Sequence, residues 1–378
     1  MGVVVTNMPD HKNQHFVPRA HLKPFSVDGR GKAINLHRIG AGAHVFGAPV
    51  KSQCARPYLY GADGSLERIL SGTEGLYATV VRRLSNPDAR LNDQDRDVLR
   101  YFILLQSLRT AEQIERGLAQ ARTMAAHFRR AHELHGGSWD AADDPTFEGA
   151  MQMLIETFQD QLRIRVIDDL KVLIVRNRTD RDFVTSDDPA VTTNRWLIQR
   201  KGIRVFGTNS AGLMLILPLG PRLLAMCYDP RVYTVSSSVA GGFTDLRRAT
   251  DVLAFNQQQF MRAAEVLYYS RRSEADAVAI DYEATKPHRP ARWESFNVAR
   301  REGGSDTHER YVVGSSEEVA ASDDQIFHMA RETPSPPSWP SILRFRHDAH
   351  GFTKGRTIVR RSAVERDLMR IHQYRQIS

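Results

Sequence analysis

The sequence predicts an α+β fold, in which an antiparallel helical bundle packs beside a mostly antiparallel β-sheet and a basic, partly disordered C-terminal extension follows. Three observations predict it. Apolar residues recur with helical spacing over residues 65–170, short apolar segments separated by turn residues occupy 172–228, and a second helical pattern runs over 245–270. We expect these parts to form one domain over residues 13–284.

The first 60 residues predict little helix. Residues 1–12 have no periodicity, and we expect them to be disordered. Pro18 suits the first turn of a short helix that Pro24 ends. Alternating residues then predict strands over 33–38 and 44–50, which glycines separate.

Three long helices are predicted next. The first begins at Ser65, places Leu70, Tyr77 and Val81 on one face, and ends at Asn86-Pro87. The second has Asn92 as its cap and an acidic first turn, and it is expected to continue to about residue 135. The third is predicted over 145–170. These helices should form the antiparallel bundle.

The β-type part follows Lys171. Its predicted strands are residues 172–175, 182–185, 203–207, 213–217 and 223–228. The pattern over 245–270 predicts a long helix that closes the domain.

The composition changes beyond residue 284. Proline, serine, glycine and charged residues dominate 285–340, which predicts a linker or a partly ordered segment. The remaining segment, 341–378, is a basic arm, since nine Lys or Arg stand against three acids from Leu343 onward. A short element is expected at 363–372.

Composition limits the class of protein. The chain has 378 residues, of which 41% are hydrophobic and 25% charged, enough for a sizeable core. Only Cys54 and Cys227 are present, which excludes a disulfide framework and favours a reducing cytoplasm. No apolar run approaches the roughly 20 residues that cross a bilayer, so we expect no membrane partner.

The charge balance favours anionic partners. Lys and Arg number 52 against 44 Asp and Glu, a net charge of +8. A positive excess attracts polyanions such as nucleic acid without showing that one binds. The basic arm is one expected contact surface, and a solvated basic tail is the alternative.

Two polar clusters lie against apolar neighbours. One is His15-Phe16-Val17-Pro18-Arg19, and the other is Phe183-Val184-Thr185-Ser186-Asp187-Asp188-Pro189. Each combines an ionisable group with a proline that fixes the local backbone, as sites that orient a side chain often do.

Five short patches stand out along the chain. They are His15-x-Val17-Pro18-Arg19 with Leu22 and Phe25; Leu66-Glu67 with Glu74; Gln106-x-x-Arg109-Thr110; Phe183-x-Thr185-Ser186-Asp187-x-Pro189; and Pro218-Leu219-x-Pro221 followed by Asn256. In this order they resemble a known bacterial family, domain of unknown function four-two-three-eight, over about residues 13–272. Members often carry paired histidines where this chain has Gln14-His15, and serine where it has Gly220. The resemblance implies a fold and a set of positions but no activity.

The helical patches predict buried polar groups. Gln106 continues an apolar face, and Arg109 borders it with a planar fork suited to carboxylate or phosphate. Glu74 shares a face with Leu70 and Tyr77, and Glu67 lies about two turns earlier. We expect Arg109 to be catalytic and Glu74 and Glu67 to ligate a metal. A structural ion pair of Arg109 with Glu74 or Glu112 is the alternative.

The Thr185-Ser186-Asp187 cluster follows a predicted strand. Asp187 offers a hard oxygen ligand for Mg²⁺ or Mn²⁺, with His15 as a base or ligand. Alternatively, Asp187 orients His15 as a base that activates Ser186 as a nucleophile. A turn in which Asp187 caps backbone amides is the structural alternative.

Four further polar residues complete the predicted site. The expected substrate-binding residues are Arg19, Gln106, Thr185 and Asn256. An ordinary buried hydrogen bond explains Asn256 equally well.

Two functions follow from these positions. The first is a metal-dependent hydrolase of a phosphodiester, a nuclease or nucleotide hydrolase, in which Asp187 and the glutamates hold Mg²⁺ or Mn²⁺ and Arg109 holds the phosphate. The second is a non-catalytic module that binds nucleic acid or another anionic, nucleotide-like ligand. A chelator should abolish the activity of the metal-dependent hydrolase and leave the binding of the non-catalytic module unchanged. The sequence does not indicate an oligomeric state.

Overall fold

The helices and strands of this computed structural model lie within the residues that it describes, which are 13–60, 65–134, 136–137, 144, 146–289, 294–305, 308–322, 324–354, 357–365 and 375–377. The helices are α1 (Arg19–Leu22), α2 (Ser65–Leu84), α3 (Asp93–Leu108), α4 (Ala111–Leu134), α5 (Phe147–Arg163), α6 (Ala249–Arg262), α7 (Ala275–Thr285), α8 (Ser316–Ala320) and α9 (Arg361–Glu365). The strands are β1 (Asn13–His15), β2 (Ala33–Arg38), β3 (Ala43–Pro49), β4 (Ala55–Pro57), β5 (Lys171–Asn177), β6 (Thr185–Ser186), β7 (Val191–Thr193), β8 (Met214–Gly220), β9 (Leu223–Tyr228), β10 (Tyr233–Val235), β11 (Phe243–Leu246), β12 (Val266–Tyr269), β13 (Glu294–Ser305), β14 (His308–Val313), β15 (Gln325–Arg331), β16 (Leu343–Phe345), β17 (Gly351–Lys354), β18 (Thr357–Val359) and β19 (Arg375–Ile377). The α+β prediction is confirmed.

Local sequence signals explain how α2 and α3 begin, end and pair. α2 ends at Leu84, before Asn86-Pro87, as predicted. The Asn92 side chain caps α3 by accepting from the Asp95 amide at 2.8 Å, and Asp95 accepts from the Asn92 amide at 2.8 Å. The rings of Tyr77 and Phe102 stack with centroids 3.6 Å apart. The two helices are thereby packed together through their predicted apolar faces.

The central sheet has five strands in the order β11-β5-β9-β8-β7, and only β11 and β5 run parallel. Its strands are buried on both faces. In β5, Val172 and Ile174 belong to the cluster with α2 and α3, whereas Leu173 and Val175 belong to the cluster with α6. A sheet covered on both faces needs nearly continuous apolar strands, which is the pattern that the sequence has here.

A second sheet has four strands in the order β3-β2-β12-β6. β12 lies at its centre and pairs antiparallel with both β2 and β6. Its residues Tyr268 and Tyr269 are fully buried. This sheet joins the amino-terminal hairpin to the Thr185-Ser186 strand, which lies about 150 residues later in the sequence.

The predicted helix over 92–135 is interrupted. α3 ends at Leu108, and Arg109 has φ −98° and ψ 3°, outside the helical conformation. Thr110 is fully buried, and its hydroxyl lies 3.4 Å from a carboxylate oxygen of Asp188. Tertiary contacts therefore redirect the chain at these two residues, although their local propensity allows a continuous helix.

The predicted helices over 145–170 and 245–270 are shorter than expected. α5 ends at Arg163, and Arg165 adopts φ +51°, which no helix continues through. α6 ends at Arg262, and β12 follows from Val266. The aromatic and β-branched residues of β12 favour the strand conformation, and pairing with β2 and β6 stabilises it.

Two predicted strands differ from the structure. Residues 203–207 form no strand, since Ile203 and Phe206 instead pack as partly buried residues against the α6 side of the core. The strand expected over 182–185 is only β6, Thr185–Ser186. The sequence analysis did not predict β7, whose three residues are too few to show a period.

The region predicted as a linker, 285–340, contains a three-stranded antiparallel sheet in the order β14-β13-β15. The predicted basic arm also contacts the rest of the chain. Arg360 is buried, pairs with Asp169 at 2.9 Å and donates to the Thr208 carbonyl at 2.6 Å. At least this arginine is therefore structural. The element expected at 363–372 is partly α9, and 366–374, like 1–12, lies outside the described residues.

Neither membrane spans nor disulfides are found among the described residues. No helix there combines the length and apolar character needed to cross a bilayer. Cys54 and Cys227 are both buried as free thiols.

The cap of α3 provides a test of the fold. Replacing Asn92 with Ala removes the acceptor for the Asp95 amide and should lower the free energy of unfolding by about 1 kcal/mol. Urea unfolding followed by circular dichroism measures this change. Asn92→Ser retains an acceptor and should recover most of the loss; equal stability of the Ala and Ser variants would contradict the role of the cap.

Candidate functional site

α1 brings a histidine into the core that the predicted site did not include. Pro18 precedes α1, and His21 lies within it and is 1% exposed. One ring nitrogen of His21 lies 2.9 Å from the Tyr77 hydroxyl, and the other lies 2.8 Å from the Thr185 hydroxyl. Burial and the nearby Arg109 cation lower the pKa of His21 to about 3. The imidazole is therefore neutral, and it links two of the patches that resemble the family.

Arg109 lies near this histidine and has several partners. Its Nε donates to Gln106 Oε1 at 2.9 Å, and its Nη2 pairs with Glu74 Oε1 at 2.8 Å. Gln106 in turn donates to the Phe16 carbonyl at 2.8 Å. The guanidinium is 4% exposed. The structural ion pair with Glu74, the alternative from the sequence, is the arrangement that the structure has.

Asp187 binds the main chain. Its carboxylate accepts from the amides of Ala264, Glu265 and Val266 at 2.9, 2.7 and 3.1 Å. Burial raises the pKa of Asp187 to about 7, although the three amides act in the opposite direction. This carboxylate caps the turn between α6 and β12. The structural alternative from the sequence was a local turn before Pro189, whereas the amides that Asp187 binds lie 77, 78 and 79 residues away.

Amide side chains on α6 hold the residues around Asp187. Ser186 donates to Gln259 Oε1 at 2.9 Å, and Gln259 donates to the Pro189 carbonyl at 2.8 Å. Asn256, one turn earlier, accepts from the Val184 amide at 3.1 Å and donates to the Asp182 carbonyl at 2.9 Å. The Ser186 hydroxyl is fully buried and does not meet His15.

The remaining predicted residues lie apart from this network. The ring of His15 contacts the Lys51 carbonyl at 3.2 Å, and Arg19 is exposed. Glu67 lies in α2, but its side chain is outside the described residues. The structure thus joins Thr185 to His21, and Gln106 and Glu74 to the nearby Arg109. It places Asp187 and His15 with other partners.

The predicted metal site stays a prediction without support from this geometry. No group of three or more His, Cys, Asp or Glu side chains among the described residues is arranged to hold a metal ion. The carboxylates of Asp187 and Glu74 are already bound by amides and by Arg109, respectively.

Asp187 also borders an open cleft with a volume of about 690 Å³, together with Phe16, Cys54 and Tyr268. The Cys54 sulfur lies 3.2 Å from the Tyr268 hydroxyl. Burial raises the pKa of the Cys54 thiol well above its ordinary value. The thiol therefore stays protonated near neutral pH and is a poor nucleophile.

A different cleft, of about 590 Å³, concentrates positive charge. β5, β11, the start of α6 and β16 surround it. Five arginines line it: Arg176, Arg178, Arg247, Arg248 and Arg344. Ser236, Ser237 and Ser238 add a row of hydroxyls, and Asp245 and Asp251 are its acidic residues. Its arginines come from three separate segments, so no sequence pattern indicates this basic cleft.

Contacts within the basic cleft orient part of this charge. Arg178 and Arg247 both reach the Asp245 carboxylate, at 3.2 and 3.4 Å. The guanidinium of Arg176 lies 3.9 Å from the centre of the Phe243 ring. Asp245 thus pairs with two arginines at once, and positive charge remains in excess in the basic cleft.

The buried ion pair predicts a strong energetic coupling. Glu74→Leu leaves the Arg109 guanidinium buried without a carboxylate and should destabilise the fold by about 3 kcal/mol, whereas Glu74→Leu/Arg109→Met should cost clearly less than the sum of the single variants. Urea unfolding of the four proteins in the cycle measures the coupling. Glu365→Leu, which breaks the exposed pair with Arg361, should change stability by only about 0.5 kcal/mol. Additive costs at Glu74 and Arg109 would contradict the coupling.

The raised pKa of Asp187 predicts a pH dependence of stability. Between about pH 4 and pH 7 the folded protein keeps a proton on Asp187 that the unfolded chain releases, so this group lowers the free energy of unfolding as pH rises, by at most about 1.4 kcal/mol per unit. Unfolding curves of the unsubstituted protein and of Asp187→Asn, recorded at each pH, measure the difference between their free energies of unfolding. That difference should shrink with rising pH, and Glu265→Gln at the exposed neighbouring position should leave the dependence unchanged. A constant or growing difference would contradict the assignment.

Comparison with known proteins identifies the family. Searches of the curated proteins and of the solved structures gave no significant match. A family model described as "Protein of unknown function (DUF4238)" matches residues 13–273, more than half of the chain. This range contains all five patches and the network around His21. The chain belongs to the DUF4238 family.

Proposed function

We propose that this protein binds nucleic acid in the basic cleft lined by Arg176, Arg178, Arg247, Arg248 and Arg344. The cleft contacts the backbone phosphates of the nucleic acid. One observation carries the proposal: five guanidinium groups from separate parts of the chain meet at one cleft with only two carboxylates. Guanidinium forks match phosphate oxygens, and neutralising phosphates releases counterions.

The two carboxylates do not cancel this charge. Asp251 is 5% exposed, and its oxygens accept from the Ser341 amide at 2.6 Å and from the Ser341 hydroxyl at 2.9 Å. Asp245 is shared between Arg178 and Arg247. Within the described part of the chain, Arg248 and Arg344 form no ion pair and are exposed, so both are available to a ligand.

The basic cleft also includes part of the predicted basic arm. Arg344 lies on β16, which pairs with β10 and so places the arm beside the end of β5 and the start of α6. This position of Arg344 supports the proposal that the arm contributes to a contact surface for nucleic acid. The net charge of +8 supports the same class of ligand.

Binding is better supported than phosphodiester hydrolysis. Asp187 and Glu74, two of the carboxylates predicted for the metal, have other partners, and no group of three or more His, Cys, Asp or Glu among the described residues is arranged to hold a metal ion. The serine of the alternative nucleophilic mechanism donates to Gln259 in the interior. The basic cleft needs neither a metal nor a nucleophile to bind phosphate.

Substitution in the basic cleft should change the salt dependence of binding. Arg248→Gln/Arg344→Gln should weaken binding to a labelled single-stranded oligonucleotide and reduce the slope of log affinity against log salt by about 1.4, since each lost phosphate contact contributes about 0.7. Fluorescence anisotropy over a range of salt concentrations measures both effects.

The matched control removes the same charge from the helices. Arg82→Gln/Arg122→Gln, at exposed positions of α2 and α4, should leave the slope nearly unchanged. Excess chelator should not alter binding by the unsubstituted protein. Equal effects of the two double variants would refute the basic cleft as the site, and chelator-sensitive cleavage of the oligonucleotide would favour the hydrolase instead.

A further inference from the structure

A small cavity lies on the other side of α6 from the Asp187 turn and has no part in the proposed function. Its volume is about 180 Å³. α3, α5, β7 and α6 contribute to its wall, and residues 332–334 close one side. The Thr333 amide donates to the Arg204 carbonyl at 2.9 Å, which holds this closing segment in place.

Apart from Nε of Arg262, which faces the Asp188 carboxylate at 2.7 Å as an ion pair, three buried polar atoms of this cavity lack hydrogen-bond partners. They are Oε1 of Gln161, Oγ1 of Thr193 and Nε2 of Gln258, and none has a partner within the part of the chain that the structure describes. Thr193 is 1% exposed and Gln258 is 2% exposed. Buried polar groups are almost always paired, so three unpaired atoms at one cavity require an explanation.

The positions of these atoms in the chain make chance packing an unsatisfactory explanation. Gln161 belongs to α5, Thr193 to β7 and Gln258 to α6, yet all three line the same space. Elsewhere on α6 the amide side chains are satisfied, as Asn256 and Gln259 show. The other amide side chains thus find partners in neighbouring segments, whereas Gln258, which lines the cavity, keeps one unpaired donor.

The charged groups at the wall are neutralised. Arg262 pairs with Asp188 at 2.7 Å, and Glu332 pairs with Arg204 at 2.9 Å. The rest of the wall is largely apolar and includes Leu104, Phe206 and Met261. An ionic ligand would find no unpaired charge among these groups, so the occupant should be neutral.

We propose that this cavity binds a neutral, single-ring molecule that carries an amide group. An amide carbonyl accepts from Gln258 Nε2, and an amide N–H donates to Gln161 Oε1; the Thr193 hydroxyl serves as donor or acceptor. The volume sets the size, since an apolar cavity of about 150 Å³ holds one benzene molecule. Apolar walls with a few polar groups are typical of small-molecule sites.

Two neutral probes and one charged analogue test the proposal on the full-length protein. Nicotinamide carries its amide outside the ring, uracil carries amides within the ring, and nicotinate replaces the amide with a carboxylate. Saturable binding of nicotinamide or uracil at millimolar concentration or below is expected by ligand-observed NMR, with a matching rise in the unfolding temperature. Nicotinate should bind at least about tenfold more weakly.

Near-isosteric variants locate the binding. Thr193→Val removes the hydroxyl and Gln258→Met removes the side-chain amide, and each change should weaken binding of the neutral probe by about tenfold or more. Gln152→Met, at an exposed position of α5, should leave it unchanged. Because both cavity variants replace unpaired groups with apolar ones of similar shape, we expect them to fold.

Three results would overturn the proposal. They are the absence of saturable binding of both neutral probes to the unsubstituted protein, equal binding of nicotinate, and undiminished binding by both cavity variants. A rise in the unfolding temperature of the unliganded Thr193→Val and Gln258→Met variants, together with no probe binding to the unsubstituted protein, would show that the three atoms are only unpaired.

Discussion

The carboxylate of Asp187 is the contact on which the arrangement of the two sheets depends. By binding three successive amides at 264–266, it holds the turn at which α6 ends and β12 begins. β12 is the central strand of the four-stranded sheet and connects β2 with β6. A helix end that lacked these partners would leave amides buried and unpaired, which folded proteins avoid. Backbone pairing of β12 connects the amino-terminal hairpin with the Thr185-Ser186 strand, and one side chain, Asp187, holds the turn that leads into β12.

The residues around Asp187 show why polar clusters in a sequence do not by themselves indicate catalysis. Thr185, Ser186 and Asn256 are buried with satisfied hydrogen bonds to His21, Gln259 and neighbouring main chain. Such networks fix one packing of the core because each alternative leaves a polar group unpaired. The patches that resemble the family thus include many residues that hold helices α1, α3 and α6 against the sheets. Buried Arg109 with Glu74 belongs to the same framework.

The polar groups that could contact a ligand lie at a cleft and a cavity whose walls are formed by several helices and strands. The basic cleft takes arginines from β5 and its end, from the segment before α6 and from β16, and its positive charge is in excess because five arginines face only Asp245 and Asp251. The small cavity takes one polar atom each from α5, β7 and α6. One site offers paired and unpaired cations to an anion, and the other offers neutral donors and acceptors within an apolar wall. The two differ in the class of ligand that each one suits.

The sequence by itself determined the features that local physics controls. The cap at Asn92, the ends of α2, and the apolar runs of β5, β8 and β9 follow from hydrogen bonding and periodicity within about 20 residues, and the structure has them. The resemblance to the family rested on motif order and is confirmed. Of the candidate site, the sequence predicted that Gln106 and Glu74 face inward and that Arg109 borders this face, and it included the ion pair of Arg109 with Glu74 among its alternatives.

Only the tertiary structure decided where the chain departs from the secondary structure that those local preferences predict. The break at Arg109 and Thr110, and the change from α6 to β12, depend on Asp188 and Asp187, which lie more than 70 residues away in the sequence. The sequence likewise did not determine the partners of each buried polar group. A carboxylate that ligates a metal and one that caps a turn cannot be distinguished by sequence. The basic cleft and the small cavity have no sequence pattern, because their residues are scattered along the chain and become neighbours only on folding.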